Sequence, residues 1–138
     1  TGGAIVCSQY IGKQRIDRAN AAKIGLYNTT VSDMWVDYLK PQECGNRTGV
    51  RYATLVGDKK VFSLVAEPVM EFNACHWLPK EIENVWHQKD LPEPNKTVVR
   101  CIARQQGIGG YDSWGAHCNE KYKNKTDKTY RLKFQIRF

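Results

Sequence analysis

Tyr130-Arg131-Leu132-Lys133-Phe134-Gln135-Ile136-Arg137-Phe138 alternates without a break, with Tyr130, Leu132, Phe134, Ile136 and Phe138 on one side and Arg131, Lys133, Gln135 and Arg137 on the other. Successive side chains of a strand point to opposite faces, so this stretch predicts a strand with one face on a core and one in water. Upstream, Thr97 to Ala103 carries β-branched strand character. Thr48 to Val56 and Val61 to Ala66 flank a Gly57-Asp58 turn and predict a hairpin. Val31 to Lys40, with Met34, Trp35, Val36, Tyr38 and Leu39 and a stop at Pro41, reads as an edge strand or an extended approach. Leu78 to His87 breaks the pattern: Pro79 fits a first helical position, and Ile82, Val85 and Trp86 recur at helical spacing, ahead of Pro92 and Pro94. Residues 1–30 offer only a small apolar run at Ala4 to Cys7. Strands with short connections and a single short helix predict a mostly β protein, an antiparallel β-sandwich.

A chain of 138 residues supports one core, so a single domain over residues 1–138 is expected. It holds no apolar run long enough to span a membrane, and its first ten residues lack the pattern of a signal peptide. Opening at Thr1 and ending at Phe138 inside an apolar alternation, it reads as a piece of something longer. Its five cysteines, Cys7, Cys44, Cys75, Cys101 and Cys118, are odd in number and none is spaced for zinc, which predicts free, buried thiols and no metal. The net charge of +7 raises nucleic acid as a partner. Basic residues are scattered singly, however, and the one cluster, Lys121, Lys123, Lys125 and Lys128, lies in a polar stretch that reads as a hydrated loop, so that class is set aside.

The stretch with functional character is Gln106-Gly107-Ile108-Gly109-Gly110-Tyr111-Asp112-Ser113-Trp114-Gly115. Glycines at this density admit backbone conformations barred to other residues, and such a loop can hold one large aromatic at a fixed place. It is not a phosphate cradle, because no Lys-Ser or Lys-Thr follows the glycines and no helix begins at Gly115. Two roles stay open for Trp114 on these residues alone: a ring offered to a ligand, or a core residue beside a tight turn.

That loop, together with Tyr38-Leu39-Lys40-Pro41-Gln42-Glu43-Cys44-Gly45-Asn46-Arg47-Thr48-Gly49-Val50-Arg51-Tyr52 upstream, resembles the C-terminal domain of family 2 glycoside hydrolases of the β-galactosidase type. The likeness runs from about Ala22 to Phe138. Cys44 stands where the family usually has Asn, and Tyr111 where it usually has an acidic or amide residue. The resemblance implies the C-terminal half of an antiparallel supersandwich, similar to the galactose mutarotase fold. It also implies that Trp114 reaches the mouth of an active site on a neighbouring catalytic barrel and packs against substrate sugar at the aglycone side. Gly109, Gly110, Asp112 and Ser113 would shape the loop, the last two by hydrogen-bonding nearby backbone. Full-length members use magnesium and a monovalent cation bound mainly elsewhere, and none is expected in this stretch.

The hydrolytic chemistry is not expected in this chain. Retaining hydrolysis needs two carboxylates about 5–5.5 Å apart, which the family draws from a barrel of roughly 250 residues. Glu81 and Glu83 sit two apart on the expected helix and face different ways, and Glu43 reads as a residue fixing its turn. Three roles follow: the terminal domain of a β-galactosidase, an independent carbohydrate-binding module, or a basic nucleic-acid-binding domain. The first fits best, with a galactoside and the catalytic barrel as partners, and self-association is expected where half a sandwich leaves an apolar face open. The compartment stays open between cytoplasm and periplasm.

Overall fold

The computed structural model of the chain describes residues 4–10, 24–107 and 114–138, with the backbone alone at 4–10 and at Ile24. Among the described residues the strands are β1 (Ala4–Tyr10), β2 (Ile24–Thr30), β3 (Arg47–Val56), β4 (Val61–Cys75), β5 (Val98–Ile102) and β6 (Phe134–Arg137), and the one α-helix, α1, spans Pro79–Glu83. All the strands join a single antiparallel sheet in the order β2-β1-β3-β4-β5, with β6 also on β4. The fold is therefore mostly antiparallel β with one short helix, sandwich-like, as the sequence predicts. The hairpin is there too: Gly57 N–H donates to the Lys60 carbonyl at 2.9 Å, and β3 and β4 leave that turn antiparallel.

β4 organises the sheet. β3 lies along one edge, while on the other edge β6 takes Ser63–Ala66 and β5 takes Glu71–Cys75. The sequence marks only the first half of this strand, Val61 to Ala66, ahead of Pro68. Pro68 is tolerated because pairing lapses there: β4 advances from Val65 to Met70 while β3 advances only from Tyr52 to Val50, a bulge in which no N–H is required of it.

One face of β3 and β4 carries the core: Val50, Ala53, Leu55, Leu64, Ala66, Met70, Phe72 and Ala74, joined by Val31 and Met34. Phe72 is 0% exposed. Strand alternation sends Asn73 to the opposite side, where it is buried under the turn before β3. There its amide donates to the Cys44 carbonyl at 2.6 Å and accepts from Arg100 at 3.0 Å, and Arg100 also meets the Glu43 carboxylate at 3.3 Å. Gly45 in that turn has φ +75°, and a Cβ on it would stand 2.2 Å from the Met34 carbonyl oxygen, so only glycine fits. Glu43 thus helps to fix its turn, as expected of it.

Three expectations need correction. Of the two readings of Val31 to Lys40, the edge strand fails and the extended approach holds from Trp35 on: Ser32–Met34 form a 3-10 turn, and the chain then runs on extended and outside the sheet. The cause lies in Thr30, whose hydroxyl accepts the Asp33 N–H at 3.1 Å and donates to the Asp33 carboxylate at 2.7 Å, capping a turn where the strand pattern would continue. We expect Thr30→Ala to lower stability by about 1 kcal/mol, read from denaturant midpoints. The helix is also shorter than Leu78 to His87. Pro79 opens it as predicted, and Glu81 accepts the Leu78 N–H at 2.7 Å, but it ends at Glu83 with only Ile82 buried. A helix this short has little propensity of its own and lasts only as far as its packing. Trp86 is accordingly 71% exposed, with the Lys40 ammonium 4.4 Å above its ring. Finally, the closing alternation forms a strand only over Phe134–Arg137. Leu132 and Phe134 pack on the core, but Ile136 is 54% exposed and Phe138 is fully exposed.

Candidate sugar-binding loop

The glycine-rich loop leaves the sheet after β5 and is gripped at its base by a second segment. Gly107 N–H donates to the Tyr122 carbonyl at 2.9 Å, and a Cβ at Gly107 would stand 2.4 Å from that of Tyr122, so the two backbones pass at a distance only glycine allows. One turn earlier, the Arg104 guanidinium donates to the Lys121 carbonyl at 2.8 Å, and the Asn124 amide donates to the Arg104 carbonyl at 3.3 Å. Glu120–Tyr122 form a 3-10 turn, tightened by the Glu120–Lys123 ion pair. Behind it Tyr130 accepts the Lys125 N–H at 2.8 Å and lies 5.7 Å from the Arg104 guanidinium. Cys118 is buried beside this junction, within contact range of Gly107.

Beyond the base of the loop, Trp114 is 94% exposed. It is not the core residue that was the alternative. Gly115 follows with φ +83° and open space around it, so the chain turns sharply away directly after the ring. Gly109, Gly110, Asp112 and Ser113 lie outside the described residues. The sequence singles out the loop and its ring but misses the clamp, because Arg104, Lys121, Tyr122 and Asn124 belong to no periodic pattern and meet only through loop contacts.

An exposed indole can take the apolar face of a neutral polar molecule. Two of the carboxylates that the sequence raises, Glu43 and Glu81, are engaged in ion pairs. Glu43 is held by Arg100, and Glu81 by Lys96 at 2.8 Å; the Lys96 hydrogen bond first, then the Leu78 N–H, hold the Glu81 carboxyl below the usual carboxylate range and keep it charged. Thiol chemistry is unsupported as well. Cys44, Cys75, Cys101 and Cys118 are free, the pairing state the sequence predicts; Cys75 and Cys118 are buried, whereas Cys44 and Cys101 are half-buried, and burial pushes both of the latter thiols up, away from the reactive thiolate. His76 is a buried strut: its Nδ1–H donates to the Lys96 carbonyl at 3.0 Å, which leaves Nε2 to pair with the Ser32 hydroxyl at 3.1 Å. Among the described residues no group of three His, Cys, Asp or Glu side chains could hold a metal ion.

The sequence matches the family described as Beta galactosidase small chain over residues 14–136. The chain belongs to the β-galactosidase small-chain family. Among its relatives, the β-galactosidase of Priestia megaterium is 36% identical over 122 residues, covering 88% of this chain and 12% of the relative. The β-galactosidase of Streptococcus thermophilus is 34% identical, covering 87% of this chain and 12% of the relative. The β-galactosidase small subunit of Latilactobacillus sakei is 27% identical over 139 residues, covering 92% of this chain and 43% of the relative. The chain thus spans about an eighth of the two whole enzymes and less than half of the small subunit. In this β-galactosidase small-chain domain the matched residues take in both the turn at Glu43 and the loop that carries Trp114.

Proposed function

We propose that this chain is a single non-catalytic domain, the C-terminal half of the supersandwich of a family 2 β-galactosidase, and that it contributes the Trp114 loop to the site where terminal β-D-galactosides such as lactose are hydrolysed with retention. The observation that supports it most is the pairing of a β-galactosidase family match with a nearly fully exposed Trp114 on a clamped glycine loop. The indole takes the apolar face of the sugar at the aglycone side. The two catalytic carboxylates come from a barrel outside this chain. Magnesium and the monovalent cation sit mainly with that barrel. Assembly with a larger catalytic part follows the same logic, and the small subunit of the Latilactobacillus sakei enzyme is a relative whose name carries that division.

The isolated chain is expected not to hydrolyse a chromogenic β-galactoside, whereas the intact parent enzyme does. Turnover by the chain alone, persisting through purification from a host that lacks β-galactosidase, would count against the proposal. Tight galactoside binding by the chain alone would favour an independent carbohydrate-binding module instead.

A further inference from the structure

Away from the sugar loop, β6 leaves an edge of the sheet open. Glu67 N–H donates to the Lys133 carbonyl at 2.8 Å, in line with the register that pairs Ala66 with Phe134, Val65 with Gln135, Leu64 with Ile136 and Ser63 with Arg137. In an antiparallel pair, opposed residues alternate between those that exchange backbone hydrogen bonds and those that exchange none. Lys133, Gln135 and Arg137 therefore turn their backbone groups toward β4, and Phe134 and Ile136 turn theirs away. Among the described residues no strand lies on that side.

The side chains along this edge have a definite character. On the core face, Ile136 and Phe138 are exposed, and the Phe138 ring extends the apolar surface 6.5 Å from that of Phe62. On the solvent face the strand is purely basic and amide. Lys133 and Gln135 share the Glu67 carboxylate, at 2.5 and 2.9 Å, but Arg137 reaches only Gln135, at 3.1 Å, and among the described residues neither Arg131 nor Arg137 forms a salt bridge.

We propose that the open edge of β6 receives an extended partner strand in which apolar and acidic residues alternate. The backbone groups of Phe134 and Ile136 complete its ladder, its apolar residues cover Ile136 and Phe138, and its carboxylates fall opposite Arg137 and Lys133. A second copy of β6 fits less well, because two antiparallel copies centred on Gln135 would set Lys133 of each against Arg137 of the other. The inference makes no use of Trp114 and stands apart from the sugar site.

The test titrates the chain with two synthetic peptides, one alternating Val and Glu and one alternating Val and Lys, while backbone amide exchange is followed by NMR. The Val-Glu peptide should bind, more weakly as salt is added, and slow exchange at the Phe134 and Ile136 amides by roughly tenfold or more while those of Gln135 and Arg137, already bonded to β4, stay as they were. Arg137→Glu, an exposed change, should shift the preference toward Val-Lys. The proposal is overturned if neither peptide binds or if both bind alike. It is overturned equally if the Phe134 and Ile136 amides become protected simply as the chain is concentrated, which would point to a second copy.

Discussion

Phe72→Ala is expected to lower the unfolding free energy by about 3–5 kcal/mol, the range for truncating a fully buried aromatic. Phe72 has no exposed surface, and its strand is held on both edges, by Arg47 of β3 and Cys101 of β5. A strand pinned in this way cannot slide in to fill the space, so the lost transfer energy is joined by the full cost of the cavity. Met70 and Ala74 lie beside it on the same face, and Asn73 locks the other face to the turn at Cys44, which leaves little freedom to repack. Denaturant unfolding measures the loss, and Ile136→Ala, on a half-exposed residue of the same sheet, should cost less than about 1 kcal/mol. A small effect at Phe72 would mean that the second half of β4 is not the centre of this core.

That half of β4 is also where the sequence is least legible. The first half and the hairpin turn can be read from alternation and from Gly57-Asp58, β5 from its β-branched residues, and the β character of the C-terminus from its apolar-polar alternation. Beyond Pro68 the strand is covered on both sides, by the core at Phe72 and by the turn at Asn73, so the alternation fades into Glu71-Phe72-Asn73-Ala74-Cys75. β2 escapes notice for a related reason: Gly25 and a run of polar residues at Asn28-Thr29-Thr30 leave no periodic signal, and its place comes from pairing with β1. Val31 to Lys40 misleads because its apolar residues are recruited by different partners. Met34 enters the core, Trp35 packs edge-on against Trp77 at 4.7 Å, and Leu39 stays exposed. The glycine loop can be recognised from composition alone, but what fixes it cannot, since the grip of Tyr122 on Gly107 is a contact between two irregular segments.

Replacing Trp114 by Ala in the intact parent enzyme is expected to weaken aglycone-side binding by roughly 1–3 kcal/mol, about five- to a hundredfold, on the scale of rings stacked on aromatic side chains. The ring is nearly fully exposed and so contributes little to the core, and an exposed substitution of this kind ordinarily changes stability by less than about 0.5 kcal/mol. A buried Trp would show the reverse, losing roughly 3–5 kcal/mol of stability with substrate handling intact. On the proposed function the effect should fall on KM and on transfer to added acceptors, because in that proposal the bond-breaking carboxylates belong to the barrel and the indole positions the leaving sugar. The direct measurement is the melting temperature and KM for lactose on one preparation of the Trp114→Ala parent enzyme: an unchanged melting temperature with a raised KM is the result expected, and an unchanged KM would contradict the assignment of Trp114 to the sugar site.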